Sequence, residues 1–350
     1  MICNAEFIVG ALHVPTINSG EPYSLYSVHT MSAPKIPIIS VIMSVFNAEH
    51  FVAKAIESIL AQTFTNFEFL IADDGSQDHS FEIIKLYAAK DPRIKLFRQE
   101  NQGLSKTLNF LLEQSQGIYI ARMDADDISL PDRFQQQVNF LDQRPAVVCV
   151  GSAFEVIDDR DRYLTWLKLP IDDQAIQATA LAGHGSICHP AAMIRRSALV
   201  KIGGYDTTLA QAEDIDLWLR LGEIGQLANL PQPLLRYRLH TQSVSGQCRE
   251  QQRQSSRIAC ERAWQRRGIE GHFEASDPWR PGPDRASQHH FMLQYGWWAF
   301  NSRQRRTAII YGLKAIQKLP WAIAGWKLLV VALIKPLPPV QQGPDPDASS

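Results

Sequence analysis

The stretch Ile38-Ile39-Ser40-Val41-Ile42-Met43-Ser44-Val45-Phe46-Asn47-Ala48-Glu49 decides the fold. Its run from Ile38 to Val45 is rich in β-branched residues and apolar on both faces, the pattern of a strand buried in the middle of a parallel sheet. A polar turn follows. Phe51, Val52, Ala55, Ile56, Ile59 and Leu60 then recur at helical spacing, which lays one apolar stripe of a helix against that sheet. Phe67 to Ala72, Ile94 to Phe97 and Ile118 to Ala121 read as further strands, with helices over Asp78 to Ala89 and Leu104 to Gln114 between them. Such alternation implies an α/β fold with a mostly parallel central sheet and flanking helices.

The next helix is expected to begin at Leu130-Pro131-Asp132-Arg133, with Pro131 in its first position, where a missing N–H is harmless. Val147 to Val150 supplies another strand, and after Gly151 the rhythm changes. Residues 153–169 read as a hairpin turning near Asp158-Asp159, followed by a helix from Asp172 to Leu181, a strand near Ala191 to Ile194, and a helix carrying Ile215, Leu217, Trp218 and Leu219. The expected organisation is a poorly ordered tail over 1–36, a core domain over 37–247 made of halves 37–128 and 129–247, a helical C-terminal appendage over 248–335, and a disordered tail over 336–350. Met31, just before the first strong element, is a candidate translation start.

With 45% hydrophobic and 20% charged residues the chain is not globally disordered. Lys plus Arg total 35 against 36 for Asp plus Glu, so no overall field gathers a polyanion and no nucleic-acid partner is expected. Five widely spaced cysteines without a CxxC pair argue against a disulfide framework and a zinc site, and point to a cytoplasmic protein. The N-terminus lacks the pattern of a secretory signal. The longest apolar stretch, Leu319 to Ile334, is interrupted by Pro320 and Lys327 and falls short of the ~20 residues that cross a bilayer. Trp321 and Trp326 beside Lys318, Lys327 and Lys335 suit peripheral membrane contact through 319–335; the plainer reading is a helix docked on the core.

In an open parallel sheet, ligands bind outside the carboxyl ends of the strands. Here those ends carry Asn47, then Asp73-Asp74-Gly75-Ser76, then Arg122-Met123-Asp124-Ala125-Asp126-Asp127. Asp124, Asp126 and Asp127 crowd negative charge together, which a hard divalent cation, Mn2+ or Mg2+, would relieve. An isolated cluster of this kind would read first as an acidic surface turn before a helix, but its place after a buried strand favours a ligand site; Asp73-Asp74-Gly75-Ser76 alone reads as a strand-ending turn. No GxGxxG follows the first strand and no GxxxxGK(S/T) occurs, so the dinucleotide and P-loop readings fail.

These strand ends, together with Ile59-Leu60-Ala61-Gln62-Thr63-Phe64, Asn101-Gln102-Gly103 and Leu130-Pro131-Asp132-Arg133, resemble the family 2 glycosyltransferases over about residues 37–245. The resemblance implies the A-type glycosyltransferase, Rossmann-like fold. It implies an inverting glycosyltransferase that takes a sugar from a nucleotide-diphosphate sugar, a UDP-sugar favoured, to a hydroxyl of a saccharide or lipid-linked acceptor in cell-surface polysaccharide or glycolipid assembly. Asp74 resembles the family carboxylate that binds the base, with Ser44, Phe46 and Asn47 lining the same pocket. Asp124 and Asp126 resemble the DxD pair, Asp126 as direct metal ligand and Asp124 as contact to ribose or metal; Arg122 reads either as a donor contact or as a structural ion pair. Asp214, next to Glu213, resembles the general base, although acidic residues also favour a helix N-terminus for its dipole. His189 lies in a segment that resembles the acceptor side, although a lone histidine is more often a hydrogen-bonded structural residue, while Arg238 and His240 belong to a stretch that resembles one approaching the diphosphate or metal. A paired Gln and Arg-Trp motif of processive members is absent, which disfavours a processive synthase. The rival readings are a nucleotide-sugar hydrolase or nucleotidyltransferase, and a non-catalytic glycan- or nucleotide-binding module.

Overall fold

The computed structural model describes residues 36–209, 211–240, 249–274 and 281–339. Of the tails expected over 1–36 and 336–350, residues 1–35 and 340–350 lie outside the described residues. The first half is built from β1 (Ile39–Val45), α1 (Val52–Leu60), β2 (Phe67–Asp74), α2 (Ser80–Ala88), β3 (Ile94–Gln99), α3 (Leu104–Gln114) and β4 (Tyr119–Arg122). All four strands run parallel in the order β3-β2-β1-β4, with Val41 level with Phe69 on one side and Ala121 on the other. Alternation along β1 divides the core. Ile39, Val41, Met43 and Val45 pack with Val52, Ala55, Ile56 and Ile59 of α1. Ile42 turns to the opposite layer with Leu70, Leu108 and Leu111. Both faces of β1 are buried, as the unbroken apolar run requires.

The second half supplies β5 (Ile128–Ser129), α4 (Arg133–Asp142), β6 (Val147–Asp158), β7 (Tyr163–Leu167), α5 (Asp173–Leu181), a 3₁₀ turn at His189–Ala191, β8 (Met193–Arg195), α6 (Arg196–Lys201), α7 (Glu213–Leu221) and β9 (Gln226–Leu239). The sheet continues β4-β8-β6-β9-β5, and β7 also pairs with β6. β8 is antiparallel to β4 and β6, β9 parallel to β6, and β5 antiparallel to β9. The α/β class therefore holds with a mixed sheet, parallel across its first four strands.

Two local expectations change. Gly151 does not end a strand: β6 continues through it and pairs with β9 from Val147 to Asp158. The glycine is needed because a Cβ there would run into Asn229 and Ile187. The hairpin itself forms, with β7 antiparallel to the second half of β6. The helix after Leu130 begins at Arg133 rather than Pro131. Gln62 holds the turn before it, donating to the Leu130 carbonyl at 2.7 Å and accepting from the Phe134 amide at 3.1 Å. The Thr63 amide donates to the Pro131 carbonyl at 3.0 Å. The two motifs near residues 62 and 131 are thus halves of one clasp behind the acidic segment.

Beyond the sheet, α8 (Arg249–Arg267) packs Ala259, Cys260 and Ala263 against Ala180 and Leu219. Helices α9 (Arg285–Asn301), α10 (Arg305–Lys318) and α11 (Ile323–Ile334) pack together, the bare Gly296 admitting Leu328 and Gly312 admitting Leu329. Phe291, Tyr295 and Phe300 of α9 join the core on the α1 side of the sheet. Among the described residues no helix is long and apolar enough to cross a membrane.

The turn into β4 is a sensitive point. Gly117 lies so close to β1 that a Cβ would sit 2.5 Å from the Ser40 amide nitrogen and 2.7 Å from the Ile39 carbonyl carbon, and both obstacles are backbone. Gly117→Ala is expected to destabilise the protein by ~2 kcal/mol through this overpacking, read as a lower urea midpoint at unchanged slope; an unchanged midpoint would show that the strand can give way.

Candidate active site

The segment between β4 and β5 brings carboxylate oxygens of Asp124, Asp126 and Asp127 within 4.8 Å of one another. Asp124 and Asp126 are partly exposed, whereas Asp127 is buried. Burial, then the charges of Asp126 and Asp124, push the Asp127 carboxyl well above its ordinary range. Cationic and N–H groups hold the segment from behind. The Arg238 amide donates to Asp127 Oδ1 at 2.8 Å, and its guanidinium donates to the Asp126 carbonyl at 2.6 Å and the Asp158 carbonyl at 3.0 Å. The same guanidinium pairs with Asp161, which Lys54 also binds, and it lies 4.8 Å from the centre of the Phe51 ring. On the other side Arg122, almost wholly buried, pairs with Asp124. Burial opposes that guanidinium charge, but Asp124 outweighs it and holds Arg122 above its ordinary value. Beneath them Arg133, fully buried, donates to the Arg122 carbonyl at 2.8 Å and the Ala192 carbonyl at 3.1 Å.

His240, beyond the end of β9, places Nε2 2.8 Å from Asp126 Oδ2 and stacks at a tilt on Phe51 with ring centres 4.8 Å apart. Hard oxygen donors converging with one imidazole fit a divalent cation of the Mg2+ or Mn2+ kind. Asp127 Oδ2, buried without a hydrogen-bond partner, is the kind of orphan acceptor that such a cation would satisfy.

The next two strands end in a second polar group. Asp74 is buried and accepts from Gln99 Nε2 at 2.8 Å and the amides of Gln102 at 2.9 Å and Gly103 at 3.0 Å. Its carboxylate braces the entry to α3, and Oδ2, taking one of these bonds, keeps acceptor capacity. Gly75 must be glycine, since it has φ +79° and a Cβ would lie 2.8 Å from the Asn101 amide nitrogen. Ser44 is half-buried and Phe46 exposed. Asn47, at φ 50°, accepts the Gln77 amide on its side chain at 2.9 Å and donates its own amide to Ser76 Oγ at 3.0 Å. An open depression lined by Gly75, Ser76, Gln77, Arg98 and Asn101 adjoins this turn.

The third group opens α7. Glu213 and Asp214 stand in its first turn, and Asp214 Oδ1 accepts the Ile215 amide at 2.8 Å. Burial raises both carboxyls, and the Asp214 charge raises Glu213 further. His189 is buried, with Nε2 3.0 Å from the Tyr205 hydroxyl and Nδ1 4.0 Å from Glu213. Trp218 meets its ring edge-on at 5.8 Å. Burial, then the Arg122 charge, keep this imidazole neutral well below the ordinary histidine range.

The structure therefore joins Arg122, Asp124, Glu213, Asp214 and His189 in one field, with Asp126 and His240 on its other flank. Ser44, Phe46, Asn47 and Asp74 stand at the ends of the adjoining strands. Arg122 forms an ion pair with Asp124. Arg238 is buried behind the acidic segment, where three oxygen acceptors converge on its guanidinium. Sequence reading missed Phe51 and Asp161 as parts of the site. Asp161 sits in an ordinary hairpin turn with φ 59°, and no local pattern distinguishes it.

Residues 40–203 match the family model described as Glycosyl transferase family 2. The putative glycosyltransferase EpsE of Bacillus subtilis is 38% identical over 54% of this chain and 68% of its own length. The O-antigen biosynthesis glycosyltransferase WbnJ of Escherichia coli is 34% identical over 61% of this chain and 84% of its own. Among solved structures, S. aureus TarS 1-349 in complex with UDP-GlcNAc superposes with TM-score 0.50 at 14% identity, covering 84% of this chain and 79% of that one. The mannosyltransferase PcManGT from Pyrobaculum calidifontis, in complex with GDP-Man and Mn2+, does so with TM-score 0.50 at 18% identity, covering 86% and 81%. These two show a shared fold.

The neutrality of His189 has a sign that can be checked. An unfolded chain takes up a proton at this residue near pH ~6.5, while the folded chain does not until lower pH. His189 therefore costs stability as pH falls through the ordinary histidine range. In an NMR titration its ring signals are expected to stay at neutral positions at pH 6; midpoint titration there would contradict the burial argument.

Proposed function

The chain belongs to glycosyl transferase family 2, and from that premise we propose that it transfers a sugar from a nucleotide-diphosphate sugar, with UDP-sugars first, to an acceptor hydroxyl with inversion at the anomeric carbon. The observation that carries the proposal is the convergence of Asp124, Asp126 and Asp127 at the end of β4, facing the same field as Asp214. The TarS complex holds UDP-GlcNAc and the Pyrobaculum complex GDP-Man with Mn2+, which supports a nucleotide-sugar donor and a divalent cation.

In this reading Asp74 accepts a hydrogen bond from the base, and Ser44, Phe46 and Asn47 line the pocket around it. Phe46, 48% exposed, offers a ring face to the base. Asp126 and His240 would hold Mn2+ or Mg2+ with help from Asp124, and the bound cation would offset charge on the departing diphosphate. Arg122 fixes the rotamer of Asp124 and sets a positive charge between the donor carboxylates and Asp214. Asp214 removes the proton of the acceptor hydroxyl as its oxygen attacks the anomeric carbon. A carboxyl raised toward neutrality is a better base for that step than an ordinary one. Glu213 and His189 position this carboxylate and shape the acceptor side. An α-linked donor then gives a β-linked product and a nucleoside diphosphate. The WbnJ relative is named for O-antigen biosynthesis, which supports a saccharide or lipid-linked acceptor in cell-surface polysaccharide or glycolipid assembly.

Two substitutions separate the roles. Asp126→Ala is expected to abolish transfer together with cation-dependent UDP binding. Asp214→Asn should leave UDP binding intact and lower kcat by ~100-fold or more. The wild-type rate should rise with pH along a limb above the ordinary carboxylate range of about 4, because Asp214 must be ionised to act and its carboxyl is raised. Steady-state kinetics with product analysis checks all three; wild-type activity in Asp214→Asn would remove it from the mechanism, and free sugar released without acceptor would mark a hydrolase.

A further inference from the structure

Helix α11 is apolar on the side that should face water. Gly325, Leu328 and Ala332 form its buried stripe against α9 and α10. The opposite stripe carries Ile323 at 81% exposed, Trp326 at 50%, Val330 at 49%, Leu333 at 56% and Ile334 at 78%, and Trp321 in the preceding turn is 75% exposed. An ordinary surface helix puts charged residues there. Exposed apolar area so continuous marks a surface that another phase covers.

The surrounding charge says which phase. From Asn301 to Lys335 the sequence holds three Arg and four Lys against no Asp or Glu. Lys327 and Lys335 are exposed beside the apolar stripe, while Arg305 caps the end of α11 by donating to the Leu333 carbonyl at 3.2 Å and the Lys335 carbonyl at 2.7 Å. An apolar stripe with tryptophans, flanked by Lys327 and Lys335 in a segment without acidic residues, is complementary to an anionic lipid surface. At 12 residues α11 is too short to cross one. We propose that the exposed face of α11, with Trp321, lies in the interface of an anionic bilayer and holds the protein there peripherally. The attachment is continuous with the active site: the Tyr311 hydroxyl of α10 donates to Asp158 at 2.9 Å, and the Asp158 carbonyl accepts from Arg238 behind the acidic segment.

The test is flotation of the full chain with vesicles of phosphatidylcholine alone or mixed with phosphatidylglycerol, at low and high salt. It involves no sugar transfer, so it stands or falls apart from the enzymatic reading. The full chain is expected to float with phosphatidylglycerol vesicles and to be released in part by salt. Trp326→Glu and Ile334→Glu should each lower the bound fraction about tenfold or more; both side chains are exposed, and an unchanged Tm would confirm folding. Lys327→Glu should weaken binding to anionic vesicles while leaving the apolar stripe in place. Failure of the full chain to float with anionic vesicles would overturn the proposal, as would binding indifferent to both apolar variants. A dimer that Trp326→Glu dissociates would instead assign the face to a second copy, and so overturn it too.

Discussion

Three carboxylates held within 4.8 Å of one another are the constraint on which the rest of this structure depends. Left alone, that segment would swing apart to relieve its repulsion. It is prevented from doing so by groups drawn from distant parts of the chain. Arg122 takes Asp124 at the side, Arg238 takes the Asp127 carboxylate and the Asp126 carbonyl from behind, and His240 reaches Asp126 from the end of β9. Arg133, whose pKa burial lowers to about 9, locks the backbone below. A fold that maintains such crowding preserves a site for positive charge.

The long β6–β9 pairing follows from the same requirement. Only a strand that continues past Gly151 to Asp158 can bring β9 to the acidic segment with Arg238 facing inward. The β6–β7 turn then adds Asp161, and α10 adds Tyr311, so the C-terminal helices become part of the frame behind the site.

The parallel half was legible because its signals are local: an apolar run for β1, a helical stripe for α1, and polar strand ends where ligands collect. The acidic cluster was legible for the same reason, whereas the α7 acid pair was singled out only through resemblance. What could not be read was anything set by contacts between distant residues. Gly151 looked like a break because the bulk of Asn229 and Ile187 is invisible in its own segment. Pro131 looked like a helix start, although Gln62, some seventy positions earlier in the chain, stretches the turn around it. The burial of Arg238 depends likewise on distant oxygen partners, Asp126, Asp158 and Asp161.

Calorimetric titration of UDP into the protein, with and without Mn2+, tests most directly whether the crowded carboxylates exist to hold a nucleotide and a cation together. The structure predicts binding that is strongly enhanced by Mn2+. Equal affinity in the presence and absence of Mn2+, or no binding in either, would contradict it.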